Sequence, residues 1–265
     1  MTYKCLLFDV KDKIATLTLN RPDRLNALGD TLRDDLHDAI VKSAASPEVR
    51  VLVITGAGRG FCSGGDVKNM NERDRAGQQS YTLHERVAPQ RDQTLLVMRD
   101  SPKPIIAAVN GAAAGAGFNL ALACDMRIAS SAAKFTQAFV RRGLHPDWGG
   151  TYFLPRLVGT AKACELIFTG DSIDAAEAYR LGIVNAVVEP EALMARTYEL
   201  AAKIAAGPPI AIRLARRAIY RNQDADLRSA LEYETYSQNI CRETEDAKEG
   251  IKAFVEKRAP AFRGL

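Results

Sequence analysis

The sequence carries little excess of charge: 36 Lys and Arg stand against 32 Asp and Glu, a formal net charge of +4 over 265 residues. No block of one sign stands out. That excludes a dedicated nucleic-acid surface and leaves a few cations for the phosphates of a small ligand. Histidine is scarce, at three residues, and His37 and His84 have no companions at metal-ligand spacing, so no metal site is expected. The five cysteines, at 5, 62, 124, 164 and 241, are odd in number and form no Cys-x-x-Cys pair, which fits reduced thiols rather than a disulfide framework. No apolar run approaches the roughly 18 residues of a membrane helix. Met1 to Val10 lacks the basic start, apolar stretch and small-residue cleavage site of a secretion signal. The expectation is a cytoplasmic protein with neither membrane nor nucleic acid as partner.

What is present is the material of an ordinary α/β core, with 47% hydrophobic and 26% charged residues. Cys5 to Val10 and Lys13 to Leu19 read as strands around a polar turn, and Asp30 is placed to cap a helix running to about Ala45. Val49 to Thr55 and Ile105 to Val109 are apolar runs of the kind that form buried strands. Shorter strands are expected over Met126 to Ala129 and Lys134 to Thr136, and helices over Asn71 to Arg91 and Phe118 to Ala123. From Thr160 onward helical patterns dominate, notably Ala192 to Ala206, Pro209 to Arg221 and Leu227 to Arg242.

Two of the strands end in small-residue turns, Gly56-Ala57-Gly58-Arg59-Gly60 and Asn110-Gly111-Ala112-Ala113-Ala114-Gly115-Ala116-Gly117. Neither matches a phosphate loop, and Gly115-Ala116-Gly117 lacks the further glycine of a dinucleotide fingerprint. Glycine lets main-chain N–H groups face a ligand, and a helix N-terminus adds positive potential. One N–H from each turn, aimed at a single oxygen, would make an oxyanion hole. Each turn alone is better explained by tight strand–helix packing.

Taken together and in order, Asn20-Arg21-Pro22, Leu25-Asn26-Ala27-Leu28, Gly56 to Lys68, Lys103 to Gly111, Cys124-Asp125, Pro146 to Gly150 and Glu249 to Arg258 resemble the crotonase (enoyl-CoA hydratase/isomerase) family. The resemblance implies a spiral of repeated ββα units with a helical C-terminal part: a core over 1–200 holding the CoA and acyl site, and an oligomerising region over 201–265. It implies an acyl-CoA thioester as substrate, coenzyme A as part of that substrate with no tightly bound cofactor, and a homotrimer or dimer of trimers. Gly65 and Ala116 fall where the family supplies its two oxyanion-hole N–H groups. Cys62, Ser63, Gly64 and Asp66, with Lys68, would lie along the CoA arm. Phe254 and Lys257 match positions that meet the CoA of a neighbouring subunit.

The resemblance also implies what this chain does not do in the usual way. Hydratases of the family position water with two glutamates, and here those positions hold Asn119 and Phe139. Asparagine does not exchange protons near neutral pH, and phenylalanine does not hold water. Asp147 falls where isomerases of the family, the ring 1,2-epoxyphenylacetyl-CoA isomerase branch included, place a catalytic acid. Burial beside Phe139 or Trp148, which would line an aromatic acyl pocket, is expected to strengthen it as a base. Asn119 would orient substrate or Asp147. The plainer readings are that Asp147 caps a helix in a Pro-Asp-x-Gly-Gly turn, that Asp66 braces its loop, and that His145 makes a structural hydrogen bond.

Overall fold

The computed structural model describes residues 2–66 and 93–265. The expected helix over Asn71 to Arg91, together with Lys68 and His84, lies outside the described residues. Strands β1 (Leu6–Lys11), β2 (Ile14–Leu19), β3 (Val51–Gly56), β5 (Ile105–Val109), β7 (Met126–Ser130) and β10 (Ala186–Val188) form one sheet in the order β1-β2-β3-β5-β7-β10. Only the β1–β2 pair is antiparallel; the others run parallel. A second sheet has the order β4-β6-β8-β9, from β4 (Gly60–Cys62), β6 (Ala112–Ala114), β8 (Lys134–Thr136) and β9 (Ser172–Asp174).

The chain alternates between the sheets. Each of β3, β5 and β7 is followed at once by a short strand of the second sheet, which is the ββα repeat that the resemblance implies.

The apolar runs of β3 and β5 are buried on both faces, as parallel strands covered on each side must be. Alternation divides them: Leu52, Ile54, Ile105, Ala107 and Val109 face the larger core. Val51, Val53, Ile106 and Ala108 face the other side, against Leu193, Ala201 and Ala205 of a helix spanning Leu193–Ala205. Removing each such Val or Ile side chain from water contributes about 2 kcal/mol. The expected boundary at residue 200 falls inside this helix, which covers the outer face of the sheet from Leu193 to Ala205.

Two helices carry the site. Helix α1 (Leu32–Ala45) follows β2, α2 (Gln93–Asp100) precedes β5, and α3 (Ala116–Ala123) follows β6 directly. Asp30 does not cap α1. It has φ +47°, and its carboxylate sits 3.0 Å from Arg21 Nη2, a buried cation that competes successfully for it. The far end of α3 is closed by Arg127, whose buried Nη1 donates to Cys124 O at 2.6 Å and Leu122 O at 3.2 Å. This sets a guanidinium against the negative end of the helix dipole. Asp125 ties the helix Pro209–Arg221 to the core: it accepts from Arg216 Nε at 2.9 Å and from Ile105 N at 2.7 Å, and Tyr220 donates to it as well.

Candidate active site

The two small-residue turns lie side by side at the start of α3. The first is clamped by two asparagines. Asn26, fully buried, donates from Nδ2 to Ala57 O and Gly60 O, while Asn110 donates to Gly58 O and accepts from Gly56 N. Beyond β4 the loop is held on its other flank, since Leu28 N donates to Gly64 O at 2.7 Å and Ser63 N donates to Leu25 O.

Gly64 has φ +90°, and a Cβ there would lie 2.6 Å from Ala114 O and 3.2 Å from Ala116 N. Only glycine accommodates both that backbone and that approach. The same closeness recurs at Gly117, where a Cβ would lie 2.0 Å from Cys62 O, so the first turn of α3 is pressed directly onto β4. The peptide entering Gly65 therefore sits against the N-terminus of α3, where Ala116 is the first helical residue.

Asp66, next to Gly65, is buried and pairs with Arg21 Nη2 at 2.9 Å; Arg21 also donates to Ala27 O. This places Asp66 as a brace of the loop rather than as a group open to ligand. Cys62 is also withdrawn. Its side chain is fully buried against Gly117, and burial pushes its thiol up to about 12. Ser63 is half-buried and donates from Oγ to Arg24 O.

Asn119 is fully buried, one turn into α3. It accepts from Gln137 Nε2 at 2.7 Å and donates from Nδ2 to the main-chain oxygen of Asp147 at 2.7 Å. It thus orients Asp147 through the backbone and does not reach its carboxylate through this bond. Phe139 is buried, with its ring about 3.5 Å from where a Gly115 Cβ would stand, so it floors the second turn. Trp148, at φ +50°, turns its ring inward and is buried, and this leaves Asp147 exposed. The expected burial of Asp147 is therefore not found; the turn buries its neighbour instead.

Nor does Asp147 cap the following helix (Gly150–Val158), whose start has no side-chain cap; the Asp147 contribution is its main-chain oxygen, which accepts from Gly150 N. His145 is exposed. Phe254, 85% exposed, and the exposed Lys257 lie on and just after the last helix, Glu245–Val255. Gln137 and Arg33 are the site neighbours that sequence reasoning missed. Arg33 stands in the first turn of α1 with its guanidinium 5.6 Å from the Trp148 ring centre. An apolar-walled cavity of about 480 Å³ lies elsewhere, beyond the C-terminal end of α3 between Leu122, Phe153, Ile212 and Ile219.

The family model described as enoyl-CoA hydratase/isomerase matches residues 9–264. The chain belongs to that family. It is 38% identical over 264 residues to the crotonyl-CoA hydratase of Syntrophomonas wolfei, covering 99% of each chain. It is also 38% identical over 261 residues to the 1,2-epoxyphenylacetyl-CoA isomerase of Escherichia coli K12, covering 98% of each. The enoyl-CoA hydratase subunit I structure from Geobacillus kaustophilus superposes with a TM-score of 0.92 at 36% identity, covering 99% of both chains. Hydratase names outnumber isomerase names among such relatives, so family membership alone does not select isomerisation.

Proposed function

We propose that this family member is an acyl-CoA isomerase that moves a proton through a thioester enolate. The observation that carries the reading is the fate of the two positions where family hydratases place glutamate. Asn119 has both its polar atoms engaged by Gln137 and the Asp147 main chain, and Phe139 packs under Gly115. Neither can activate water. The exposed carboxylate beside them is Asp147.

In this reading the N–H groups of Gly65 and Ala116 hold the thioester oxygen. Charge developing on that oxygen is stabilised by two fixed dipoles and by the start of α3. The proton on the carbon next to the carbonyl then becomes removable. Asp147 takes it from C2 of a 3-enoyl-CoA, leaving an enolate conjugated to the double bond. It returns the proton at C4 as the double bond moves to C2–C3, so nothing is gained or lost overall. Opening of a strained ring fused to the same enolate uses the same parts. The CoA arm runs along Ser63 and Gly64, and Phe254 and Lys257 reach the CoA of a neighbouring subunit in a homotrimer or dimer of trimers built through 201–265.

Deuterium incorporation from heavy water into 3-enoyl-CoA and 2-enoyl-CoA tests this for the wild type and Asp147→Ala. Isomerisation and exchange in the wild type that disappear in the variant are expected. Formation of 3-hydroxyacyl-CoA by both would replace this reading with hydration at an atypical water site. Tight acyl-CoA binding with no turnover would make the chain a non-catalytic member.

A further inference from the structure

Arg33 has no role in the chemistry above, yet it stands at the site. The segment leading into α1 pairs with the oxyanion loop, Leu28 bridging to Gly65, and Arg33 follows five residues later in the first helical turn. Its guanidinium lies 5.6 Å from the ring centre of Trp148, the residue after Asp147, and its positive field reaches the Cys62 thiol at the base of the same loop. Arg33 is thus bracketed by both halves of the site.

One of its hydrogen-bond donors is unmet. Nε is buried, yet it has no acceptor among the described residues. Other Arg side chains held inside this protein are satisfied by oxygen: Arg21 by Asp66 and Ala27 O, Arg127 by carbonyls at the end of α3, and Arg216 by Asp125 and three further carbonyls. A ring face attracts a cation but leaves its in-plane N–H groups unfilled. A guanidinium with an idle Nε–H keeps one edge of its fork open for a planar pair of oxygens, as in a carboxylate.

We infer that Arg33 is a specificity-determining residue that receives a second carboxylate carried on the acyl group, so that the site takes short dicarboxylic acyl-CoA thioesters. The inference rests on the acyl-CoA reading of the same site. The thioester oxygen would lie at Gly65 and Ala116 and the reacting carbon beside Asp147. The far end of the acyl group would run past Trp148 to the guanidinium. The chemistry at C2 is unaffected, because the second carboxylate anchors the acyl chain without joining the proton transfer.

The test is calorimetric binding of glutaryl-CoA and of isoheptanoyl-CoA, which replaces the carboxylate with an isopropyl group of nearly the same shape. Wild type, Arg33→Met and Arg33→Lys are compared. Arg33→Met is expected to weaken glutaryl-CoA by about tenfold more than isoheptanoyl-CoA, with Arg33→Lys between the two. Equal changes for the two ligands, or none, would show Arg33 to be packing on Trp148 alone and overturn the inference while leaving the acyl-CoA reading intact. Failure of the wild type to bind either thioester would overturn both. Should Arg33→Met not fold, the Arg33→Lys comparison decides by the same ratio.

Discussion

Asn119 Nδ2 donates a 2.7 Å hydrogen bond to the main-chain oxygen of Asp147. Twenty-eight residues separate the two, and the bond joins α3 to the turn that carries the exposed carboxylate. At a position where the family's hydratases keep an acid, this chain keeps an amide that holds a neighbour in place. Gln137 fixes the amide in turn by donating to its Oδ1, which leaves the NH₂ side for Asp147.

Asn119→Ala is therefore expected to act on catalysis through geometry. Loss of the bond frees the Asp147 turn. A displacement of the order of 1 Å at a reacting group costs roughly ten- to a hundredfold in rate. The fall should appear in kcat with KM for the thioester nearly unchanged, alongside a stability loss of about 2 kcal/mol from the buried partners left unpaired. A variant with unchanged kcat and only the stability loss would reduce Asn119 to a packing residue.

Arg21 and Asp66 form a buried ion pair at 2.9 Å that ties the opening Asn-Arg-Pro segment to the loop after β4. Breaking such a pair by removing one partner costs about 3 kcal/mol, because the remaining charge stays in a poorly solvated place. Asp66→Asn and Arg21→Met are each expected to lower the denaturation midpoint, and the double variant should recover part of the loss. Additive losses in this cycle would show that the two residues act independently.

The long strands were legible in the sequence because β3 and β5 are runs of apolar residues with β-branched side chains on both faces. Of the short strands, Lys134–Thr136 was legible too, but β4 and β6 were not. Gly60–Cys62 and Ala112–Ala114 are built from small residues with little preference for extended structure, and pairing with each other makes them strands. What reads locally as one flexible turn, Asn110 to Gly117, is half a strand and a helix start. At the site, the glycine loops and Asp147 could be placed by position along the chain. The exposure of Asp147 could not, since it depends on Trp148 taking φ +50° and turning inward. Arg33 left no signal either: on an amphipathic helix, one arginine among several charged residues looks like part of a solvated face.

Burial pushes the thiols of Cys62 and Cys124 up to about 12. A raised thiol value means that almost no thiolate is present at neutral or mildly alkaline pH, and the thiolate is what reacts. Both cysteines should resist iodoacetamide in the folded protein at mildly alkaline pH and react after denaturation, while the half-buried Cys164 reacts in the folded state. Peptide mapping by mass spectrometry reads this directly. Modification of Cys62 in the native protein would mean that the junction of β4 and α3 opens.

The C-terminal tail is held by two carboxylates of the last helix. Asp246 accepts from Arg263 N and Gly264 N, and Glu249 accepts from Arg258 and from Ala261 N. The Arg258 guanidinium and then the Ala261 N–H hold the Glu249 carboxyl down to about 2, below its ordinary value of 4.5. A lowered carboxyl value gives the folded form an advantage that is complete above the ordinary value and is lost as pH falls through about 2. The tail from Ala259 onward is expected to loosen across that window in the wild type, seen as faster hydrogen exchange after correction for the intrinsic pH dependence. Glu249→Gln should show the looser tail already at neutral pH, where carboxypeptidase would release Leu265 faster than from the wild type. Equal release rates from the two proteins would mean that the tail is held without Glu249, by contacts such as those of Asp246 and of Arg50 with Phe262 O.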